Sequence, residues 1–381
     1  MTSMSTSREP GHEARLDPHS GAPVSRVLVI AEAGVNHNGS LEVARALVDA
    51  AAEAGADVVK FQTFVASELV GRSADKAAYQ KRATPKGESQ REMLERLELD
   101  LTAHETLVAH CQTRGVRFLS SPFDLGSVEL LAGRLGLRQL KIASGQITHA
   151  PLLLRAARAG ASVILSTGMS TLGDIEAALG VLAFGYGEQG DAPTRGDFGR
   201  AYARPEARAL LADRVALLHC TTEYPAPFGD VNLRAMDTLR QAFEVPVGLS
   251  DHTPGIAVPI AAVARGATIV EKHFTLDRNL PGPDHAASLE PRDLGAMVQA
   301  IRQVEAALGD GCKVPRSSEL DNRRVARASL VARRAIRKGE RLTEDNVGVK
   351  RPGDGISPMR YWELVGTIAG RDYAPDEALE G

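Results

Sequence analysis

Cysteine is scarce in this chain, with three residues in 381: Cys111, Cys220 and Cys312. An odd number without the close spacing of a metal-binding or redox motif excludes a disulfide framework and indicates a reducing environment. Long apolar runs are also lacking, and no stretch is apolar for long enough to span a bilayer. The sequence therefore predicts a cytoplasmic protein with no membrane partner.

An excess of charge of one sign is lacking too, because 45 Lys and Arg residues stand against 48 Asp and Glu residues. A nucleic-acid-binding protein needs a basic face, and no cluster of Lys and Arg with interleaved aromatic residues occurs, which excludes nucleic acid as a partner.

Residues 1–25 are rich in Ser, Pro, Gly, His and charge but lack the apolar centre of a secretory signal. We interpret them as a mobile N-terminal tail.

From residue 26 onward, apolar runs typical of buried strands alternate with Ala- and Leu-rich segments that have helical spacing. The first such helix is predicted between Ser40, placed as N-cap, and Gly55, placed as terminator. Eight strands are predicted, at residues 26–32, 57–62, 116–121, 138–142, 162–166, 214–219, 245–251 and 268–273. This alternation predicts an α/β fold, a closed (β/α)8 TIM barrel.

The chain is longer than one barrel requires. We predict a TIM-barrel domain over residues 26–308, a linker over 309–327 that contains Gly, Pro and Ser, and a compact domain of small strands and turns over 328–381. Two irregular stretches interrupt the barrel pattern. Residues 65–90 follow a strand end and could form a lid, whereas residues 185–213 precede a strand and are assigned to the opposite face.

Two histidines, His252 and His273, stand at the ends of neighbouring predicted strands. Either histidine alone is more simply explained as a core residue whose hydrogen bonds are made within the protein. The pair, however, predicts a shared metal ion at the reactive face of the barrel. Two imidazoles leave positions open for water and substrate, as in a catalytic site, and they accept several divalent metals. The sequence does not name the metal.

Two lysines, Lys60 and Lys141, end further strands and are predicted to point into the same mouth, where they suit a phosphorylated, carboxylated substrate. The alternative is that each lysine extends from its strand end to solvent. Ser121 and Ser166 lie in segments with hydroxyl and backbone N–H donors of the kind that hold phosphate oxygens.

Three carboxylates complete the candidate site. Glu32 ends the first strand, before a polar, glycine-flanked turn that could bind sugar hydroxyls or only close through Asx hydrogen bonds. Glu271 lies two residues before His273, on the same side of the strand, where it could orient a metal ligand or a lysine. Asp284, beyond the last strand, could accept hydrogen bonds from substrate hydroxyls or close a turn.

Eight ordered motifs resemble those of a known family. They are residues 30–39 (IAEAGVNHNG), 60–64 (KFQTF), 121–124 (SPFD), 166–169 (STGM), 219–225 (HCTTEYP), 250–253 (SDHT), 271–275 (EKHFT) and 282–285 (GPDH). Together they closely resemble the bacterial sialic acid (N-acetylneuraminate) synthases, from about Val27 to the C-terminus. Residues 328–332 (ASLVA) and 350–353 (KRPG) are similar to the antifreeze-like (SAF) domain that follows the barrel in these synthases.

The resemblance implies condensation of phosphoenolpyruvate with an N-acylated amino sugar, N-acetylmannosamine in the type reaction, assisted by Mn²⁺ or Mg²⁺ and releasing phosphate by C–O cleavage. It implies that His252 and His273 hold the metal and that Glu32 faces the amino sugar, and Glu32 is also our candidate for managing protons in the reaction. Phosphoenolpyruvate would be bound by Lys60, Ser121, Lys141, Ser144, Ser166 and Ser250. The amino sugar would face Gln62, Tyr224 and Asp284, and Arg351 would reach its N-acyl group from the partner subunit of a domain-swapped homodimer. Gln146, Glu271 and Thr222 are expected beside these groups, and of the three only Glu271 has a suggested role, the orientation of a metal ligand or a lysine.

The acceptor sugar is left open by the sequence. Gln146 stands where many relatives have Glu, and an amide cannot act as a base, so the substrate or the rate could differ. Synthases for legionaminic acid, whose precursor is a 2,4-diacetamido sugar, share nearly the same motifs and are the first alternative. More distant alternatives are a metal-dependent barrel aldolase or isomerase that acts without phosphoenolpyruvate, and a sugar-binding module without catalysis.

Overall fold

The computed structural model describes residues 26–72, 74–84, 87–187 and 193–380. The predicted N-terminal tail, residues 1–25, lies outside the described residues. Within the described ranges, none of the helices combines the length and the apolar character needed to cross a membrane.

Eight parallel strands form the main sheet. They are β1 (Leu28–Gly34), β2 (Val58–Thr63), β3 (Arg117–Pro122), β4 (Gln139–Ile142), β5 (Ser162–Ser166), β6 (Val215–Cys220), β7 (Val247–Asp251) and β8 (Ile269–His273). Their order is β3-β2-β1-β8-β7-β6-β5-β4, and β3 lies beside β4, so the sheet is nearly closed into a ring. This confirms the predicted (β/α)8 barrel.

Helices surround the ring. Those before β6 are α1 (Leu41–Glu53), α2 (Ala66–Leu69), α3 (Ala78–Ala83), α4 (Gln90–Glu95), α5 (Leu101–Arg114), α6 (Leu125–Val128), α7 (Ala150–Arg158), α8 (Leu172–Gly187), α9 (Arg195–Tyr202) and α10 (Pro205–Arg214). The remaining helices of the barrel unit are α11 (Ala235–Phe243), α12 (Ala257–Ala264) and α13 (Pro291–Leu308). Two further helices, α14 (Leu320–Ala326) and α15 (Tyr361–Leu364), lie beyond Asp310 in a separate compact unit. Helix α1 begins as the sequence predicts, because the Ser40 hydroxyl accepts a hydrogen bond from the Val43 N–H.

The interior of the barrel has an apolar layer below a polar one. Six buried apolar side chains, Ile30, Val58, Leu119, Ile164, Leu218 and Ile269, form a separate core cluster inside the ring. The next inward position of each strand lies two residues further along the chain. In the same order of strands, these positions carry Glu32, Lys60, Ser121, Ser166, Cys220 and Glu271. Because side chains alternate along a strand, the same pattern that builds the apolar layer places polar groups above it, at the carboxyl ends.

The two irregular stretches of the barrel pattern fold into short helices. Residues 65–90 contain α2 and α3, and α4 starts at the end of the stretch. Residues 185–213 contain the end of α8, then α9 and most of α10. Phe184 and Phe198 pack edge to face, with ring centroids 5.5 Å apart. Since α10 leads directly into β6, this second stretch lies on the side where strands begin.

A second compact unit follows the barrel, with the division between Asp310 and Gly311. Strands β9 (Ser329–Ala332) and β10 (Val347–Lys350) pair antiparallel, and Leu330, Leu342 and Tyr373 belong to the core of this unit. The predicted linker, residues 309–327, is only partly irregular. Residues 320–326 form helix α14, which the sequence did not indicate because Gly, Pro and Ser residues precede it in the linker. Residues 311–327 belong to the second unit and do not form a separate connection between the two units.

Candidate active site

One cavity of about 580 Å³ opens at the carboxyl ends of the barrel strands. Its lining contains every predicted site residue of the barrel: Glu32, Lys60, Gln62, Ser121, Lys141, Ser144, Gln146, Ser166, Thr222, Tyr224, Ser250, His252, Glu271, His273 and Asp284. The remaining predicted residue, Arg351, is exposed and lies in the second unit, after β10. The cavity is within the size range of small-molecule sites.

Glu271 lies between the two lysines at the bottom of the cavity. Its carboxylate oxygens are 3.6 Å from Lys60 Nζ and 3.3 Å from Lys141 Nζ. The Ser250 hydroxyl donates a further hydrogen bond to Glu271 at 2.8 Å. All these groups are buried. Burial alone would raise the pKa of Glu271, but the two lysines and Ser250 outweigh it and lower the pKa to about 2, so this carboxylate stays ionised.

Glu32 is the second buried carboxylate, and its environment has the opposite effect. Burial raises its pKa to about 7 although Lys60 opposes this, and the negative charge of Glu271 raises the pKa further. Glu32 Oε2 lies 2.6 Å from Lys60 Nζ, and Gln62 Nε2 lies 3.4 Å from Glu32 Oε1. Two carboxylates whose pKa values are driven apart are typical of an acid–base site, and Glu32 is the one able to exchange a proton near neutral pH.

Hydroxyl groups from four strand ends surround the lysines. Lys60 donates to the Ser121 hydroxyl at 3.2 Å, and the Ser144 hydroxyl accepts from the Gly168 N–H at 3.0 Å. The hydroxyls of Ser166 and Thr222 are buried and have no hydrogen-bond partner among the described residues. Buried polar groups are normally paired, so these two hydroxyls are available to a bound ligand.

The two histidines face each other across the β7–β8 edge of the cavity. Their ring centroids are 5.3 Å apart, and the Tyr224 ring packs on both, at 4.1 Å from His252 and 5.6 Å from His273. His252 Nδ1 donates to the Thr221 carbonyl at 2.8 Å, which leaves its Nε2 free of the backbone. Burial disfavours charge on His252, but Cys220 and the Thr221 carbonyl outweigh it and raise its pKa.

A divalent metal fits the chemistry of this pair. His273 Nδ1 is buried and has no hydrogen-bond partner among the described residues, and the nearest carboxylate oxygen, Asp284 Oδ2, is 4.0 Å away. Burial and the positive groups nearby hold the pKa of His273 well below its usual value, so its imidazole is neutral, as metal ligation requires. In the described part of the chain, no three His, Cys, Asp or Glu side chains converge into a ready cation site. A metal here would therefore complete its shell with water or substrate.

Three polar side chains that are predicted to contact the sugar lie around Gly34, which has no side chain of its own. Its φ of +55° lies in the left-handed region, and a Cβ at this position would lie 3.3 Å from Glu32 Oε1, 3.4 Å from Gln62 Nε2 and 3.7 Å from Asp284 Oδ2. These three polar groups thus converge on the turn after β1. Burial raises the pKa of Asp284 to about 6, although His252 and Lys60 oppose the rise.

Several lining residues were not predicted from the sequence. Seven apolar side chains, here called the apolar wall, line the cavity on the side of β1, α2 and α4: Val35, Leu69, Val70, Met93, Leu94, Leu97 and Phe123. Cys220 also lines the cavity, with its Sγ 3.8 Å from His252 Nδ1. Inward alternation along β6 could have indicated Cys220. Most of the apolar wall had no comparable signal, because five of its seven residues lie in or beside the short helices α2 and α4, where no hydrophobic period is clear.

Comparisons with known proteins identify the family of the chain. The sequence profile of the NeuB family matches residues 47–313, and that of the SAF domain matches residues 327–380. The N,N'-diacetyllegionaminic acid synthase of Campylobacter jejuni is 48% identical over 356 residues, which cover 93% of this chain and 99% of that protein. The N,N'-diacetyllegionaminic acid synthase of Legionella pneumophila is 44% identical over 339 residues, or 89% of each protein.

The chain is also similar to a solved structure. The N-acetylneuraminic acid (sialic acid) synthetase of Leptospira borgpetersenii, crystallised with citrate, is 33% identical in sequence and has a TM-score of 0.63. The match covers 78% of this chain and 90% of that one. The chain therefore belongs to the NeuB family and ends in a SAF domain.

Proposed function

We propose that this protein condenses phosphoenolpyruvate with an N-acylated amino sugar to give a nine-carbon 2-keto acid and inorganic phosphate. The observation that carries the proposal is the grouping of Lys60 and Lys141 around Glu271, on the strand that also carries His273. An aldolase or isomerase that acts without phosphoenolpyruvate would use the histidines but would not need two buried lysines. A binding module would not need Glu32 held near neutral pKa.

The bottom of the cavity suits phosphoenolpyruvate. Lys60 and Lys141 share one ionised carboxylate, Glu271, and Glu32, with its pKa of about 7, is partly protonated, so positive charge remains for a ligand that has both a phosphate and a carboxylate. Ser121, Ser144, Ser166 and Ser250 line the same region. Ser166 would gain the hydrogen bond that it lacks when a phosphate or carboxylate oxygen binds.

The reaction then needs a group that gives one proton to the aldehyde oxygen and later takes one from water. A bond forms between C3 of phosphoenolpyruvate and the aldehyde carbon of the open-chain sugar, using the electron pair of the enol double bond. The aldehyde oxygen takes up a proton, and Glu32 is the positioned donor because its pKa of about 7 keeps much of it protonated at neutral pH. Lys60 and Lys141 stabilise negative charge that develops in the mouth.

Water next adds to C2, which has become an oxocarbenium centre, and its proton returns to Glu32. The tetrahedral intermediate then collapses: the bond between C2 and the bridging oxygen breaks, its electron pair leaves with phosphate, and the proton of the C2 hydroxyl passes to that phosphate as the ketone forms. His252 and His273 would hold Mn²⁺ or Mg²⁺, and such a cation supplies Lewis-acid polarisation of the sugar aldehyde when bound.

For the acceptor we propose a 2,4-diacetamido hexose first and N-acetylmannosamine second. The two relatives at 48% and 44% identity are named as N,N'-diacetyllegionaminic acid synthases. The apolar wall supports the same choice, because it adjoins the turn at Gly34, where Glu32, Gln62 and Asp284 meet. A sugar with a second acetamido group presents one more methyl group to such a surface than N-acetylmannosamine does. Gln146 and Tyr224 would contact the sugar from the other side of the cavity.

Three further parts of the proposal concern the whole protein. Arg351 would bind the N-acyl group of the sugar from the SAF domain of a partner subunit in a domain-swapped homodimer. The location would be the cytoplasm, where phosphoenolpyruvate is available. The 65–90 stretch would act as a lid, since α2 and α3 supply Leu69 and Gln80 to the cavity lining.

The test is a phosphate-release assay with purified protein, phosphoenolpyruvate and MnCl2. N-acetylmannosamine, its 6-phosphate and the 2,4-diacetamido trideoxy hexose are compared as acceptors. We expect phosphate release that depends on an acceptor and is fastest with the diacetamido sugar. Phosphoenolpyruvate labelled with ¹⁸O at the bridging position should give labelled phosphate. Unlabelled phosphate would overturn C–O cleavage, and no phosphate release with any acceptor would overturn the function.

A further inference from the structure

A buried ion pair lies on the outer side of the barrel wall, directly behind the two histidines. Lys272 Nζ lies 2.5 Å from Asp251 Oδ2, and each side chain is only 1% exposed. Asp251 is the last residue of β7 and directly precedes His252, Lys272 precedes His273 on β8, and Asp251 and Lys272 are paired in the register of these strands. Since side chains alternate along a strand, this pair points away from the cavity while Ser250 and Glu271 point into it.

Thr253 closes the pair into a ring of hydrogen bonds. Its N–H and hydroxyl donate to the two carboxylate oxygens of Asp251, at 3.1 Å and 3.0 Å, and its carbonyl accepts from Lys272 Nζ. We call Asp251, Thr253 and Lys272 the strand clamp. The clamp holds the residues on both sides of His252 and the residue immediately before His273.

The surroundings of the clamp are apolar. Its strand neighbours on the same side, Leu249 and Val270, belong to the main hydrophobic core under the helices. A buried ion pair in such a layer is seldom more stable than well-packed apolar side chains of similar size, because removing two charges from water offsets their attraction. Stability alone therefore does not account for a charged clamp at this position.

We propose that the strand clamp is a positioning device that fixes the rings of His252 and His273 relative to each other. The proposal rests on the metal role given to these histidines above, but its geometric content is independent of that role. The ring separation depends on the register of β7 and β8 at their last residues and on the path of the chain after β7. The clamp constrains both, since it joins β7, β8 and the loop residue Thr253 through charged hydrogen bonds of defined direction.

Three variants separate positioning from stability. Lys272→Met leaves the Asp251 carboxylate buried without a cation, with only the hydrogen bonds from Thr253. The double variant Asp251→Leu with Lys272→Met replaces the pair with apolar side chains that suit the layer. The control, Arg302→Met, breaks the ion pair between Arg302 Nη2 and Asp57 Oδ2, which are 2.6 Å apart at the end of the barrel where β2 begins.

The first measurement is NMR of protein labelled with ¹³C and ¹⁵N in histidine only, with the signals of His252 and His273 assigned by substituting each. The second is Mn²⁺ affinity by calorimetry. In both clamp variants we expect the two ring signals to shift and the Mn²⁺ affinity to fall by about tenfold or more. The double variant should recover the melting temperature that Lys272→Met loses, without recovering either signal. Arg302→Met should leave both ring signals and the affinity unchanged.

A folded double variant with both histidine signals at their native positions would overturn the proposal. Should the unmodified protein bind no Mn²⁺, the metal site would be refuted, and the NMR comparison would still decide whether the clamp positions the rings. Ring signals that move equally in Arg302→Met would show a general loosening of the barrel and would also overturn it.

Discussion

The carboxylate of Glu32 lies 2.6 Å from the ammonium of Lys60, and both side chains are only 2% exposed. Lys60 also contacts Glu271, so one cation serves two carboxylates of different character. The pKa of Glu32 is raised to about 7 by burial, whereas that of Glu271 is lowered to about 2 despite burial, because Glu271 has both lysines and Ser250 as partners. The number of partners decides which carboxylate can hold a proton.

We expect Glu32→Gln to reduce phosphate release by about a hundredfold or more, the usual contribution of a positioned acid–base group. The affinity for phosphoenolpyruvate should change little, because Lys60 keeps Ser121 and Glu271 as partners. The rate of the unmodified enzyme should change through pH 7 as Glu32 titrates, and this inflection should vanish in the variant. Steady-state rates from pH 5.5 to 9 measure both effects, with Glu53→Gln, an exposed position on α1, as control. A variant that kept the inflection would assign it to another group.

The histidine pair gives a prediction on metal content. His252→Ala or His273→Ala should abolish most Mn²⁺ binding and activity together, because one ligand of a two-histidine site is a large part of its affinity. Metal is measured by elemental analysis after dialysis. His110→Ala is the control, since His110 pairs with Asp49 in the outer helix layer. Full activity with native metal content in either variant would refute the metal role.

The barrel and the inward polar residues were predictable because buried parallel strands are continuous apolar runs that end in polar residues. Glu32, Lys60 and His273 follow from this rule alone. The number of partners at Glu271 could not be predicted, because it depends on how far Lys60 and Lys141 reach across the barrel. Sequence spacing does not give that distance between strands on different sides of a ring.

The apolar wall and α14 were missed for a different reason. Helix α14 and five of the seven wall residues lie in or beside helices of four to seven residues, which show too few turns for a hydrophobic period to be recognised. Their side chains become part of a site or a core only through tertiary packing. The outward pair of Asp251 and Lys272 could have been found, since a charged residue on the helix side of a barrel strand requires a partner at the matching register.

The apolar wall leads to a prediction on acceptor choice. Val70→Thr replaces a methyl group by a hydroxyl of similar size at a half-buried position that lines the cavity. We expect kcat/KM for the diacetamido sugar to fall by roughly threefold to tenfold, since about one methyl contact is lost and a hydroxyl is desolvated. The value for N-acetylmannosamine should fall less.

The matched control is Val65→Thr, the same substitution at a residue of this stretch that is 45% exposed and does not line the cavity. Initial rates with each sugar at saturating phosphoenolpyruvate give the comparison. Equal losses for both sugars would show that the wall does not distinguish them, and the choice of acceptor would then rest on the relatives alone.

A substitution of Arg351 tests whether the SAF domain contributes to sugar binding. Arg351→Ala should raise KM for the amino sugar by at least about tenfold, because the proposed guanidinium hydrogen bond to the acyl oxygen would be lost, and should leave KM for phosphoenolpyruvate nearly unchanged. Arg341→Ala, an exposed arginine of the same unit, is the control. A second expectation follows from domain swapping: at a sugar concentration well below KM, where both variants are slow, mixing Arg351→Ala with Glu32→Gln subunits should restore part of the activity. Equal effects on both substrates would contradict the assignment.

His37 links the turn after β1 to the pH dependence of stability. Its side chain is fully buried, Nδ1 accepts a hydrogen bond from the Gly39 N–H at 3.0 Å, and burial is the main reason that its pKa is lowered to about 4. In the unfolded chain a histidine titrates near pH 6.5. Between these two values the unfolded state binds the proton and the folded state does not, so stability falls as the pH falls.

The stability that the neutral His37 contributes is therefore fully present above about pH 6.5 and is lost progressively down to about pH 4, by about 3 kcal/mol in total. His37→Asn removes the titration while its side-chain oxygen can still accept from the Gly39 N–H. Urea unfolding from pH 7.5 to 4.5 should show the unmodified protein losing stability relative to this variant as the pH falls. His110→Asn should not reproduce that difference, and parallel pH curves for the unmodified protein and His37→Asn would show that His37 is not the group responsible.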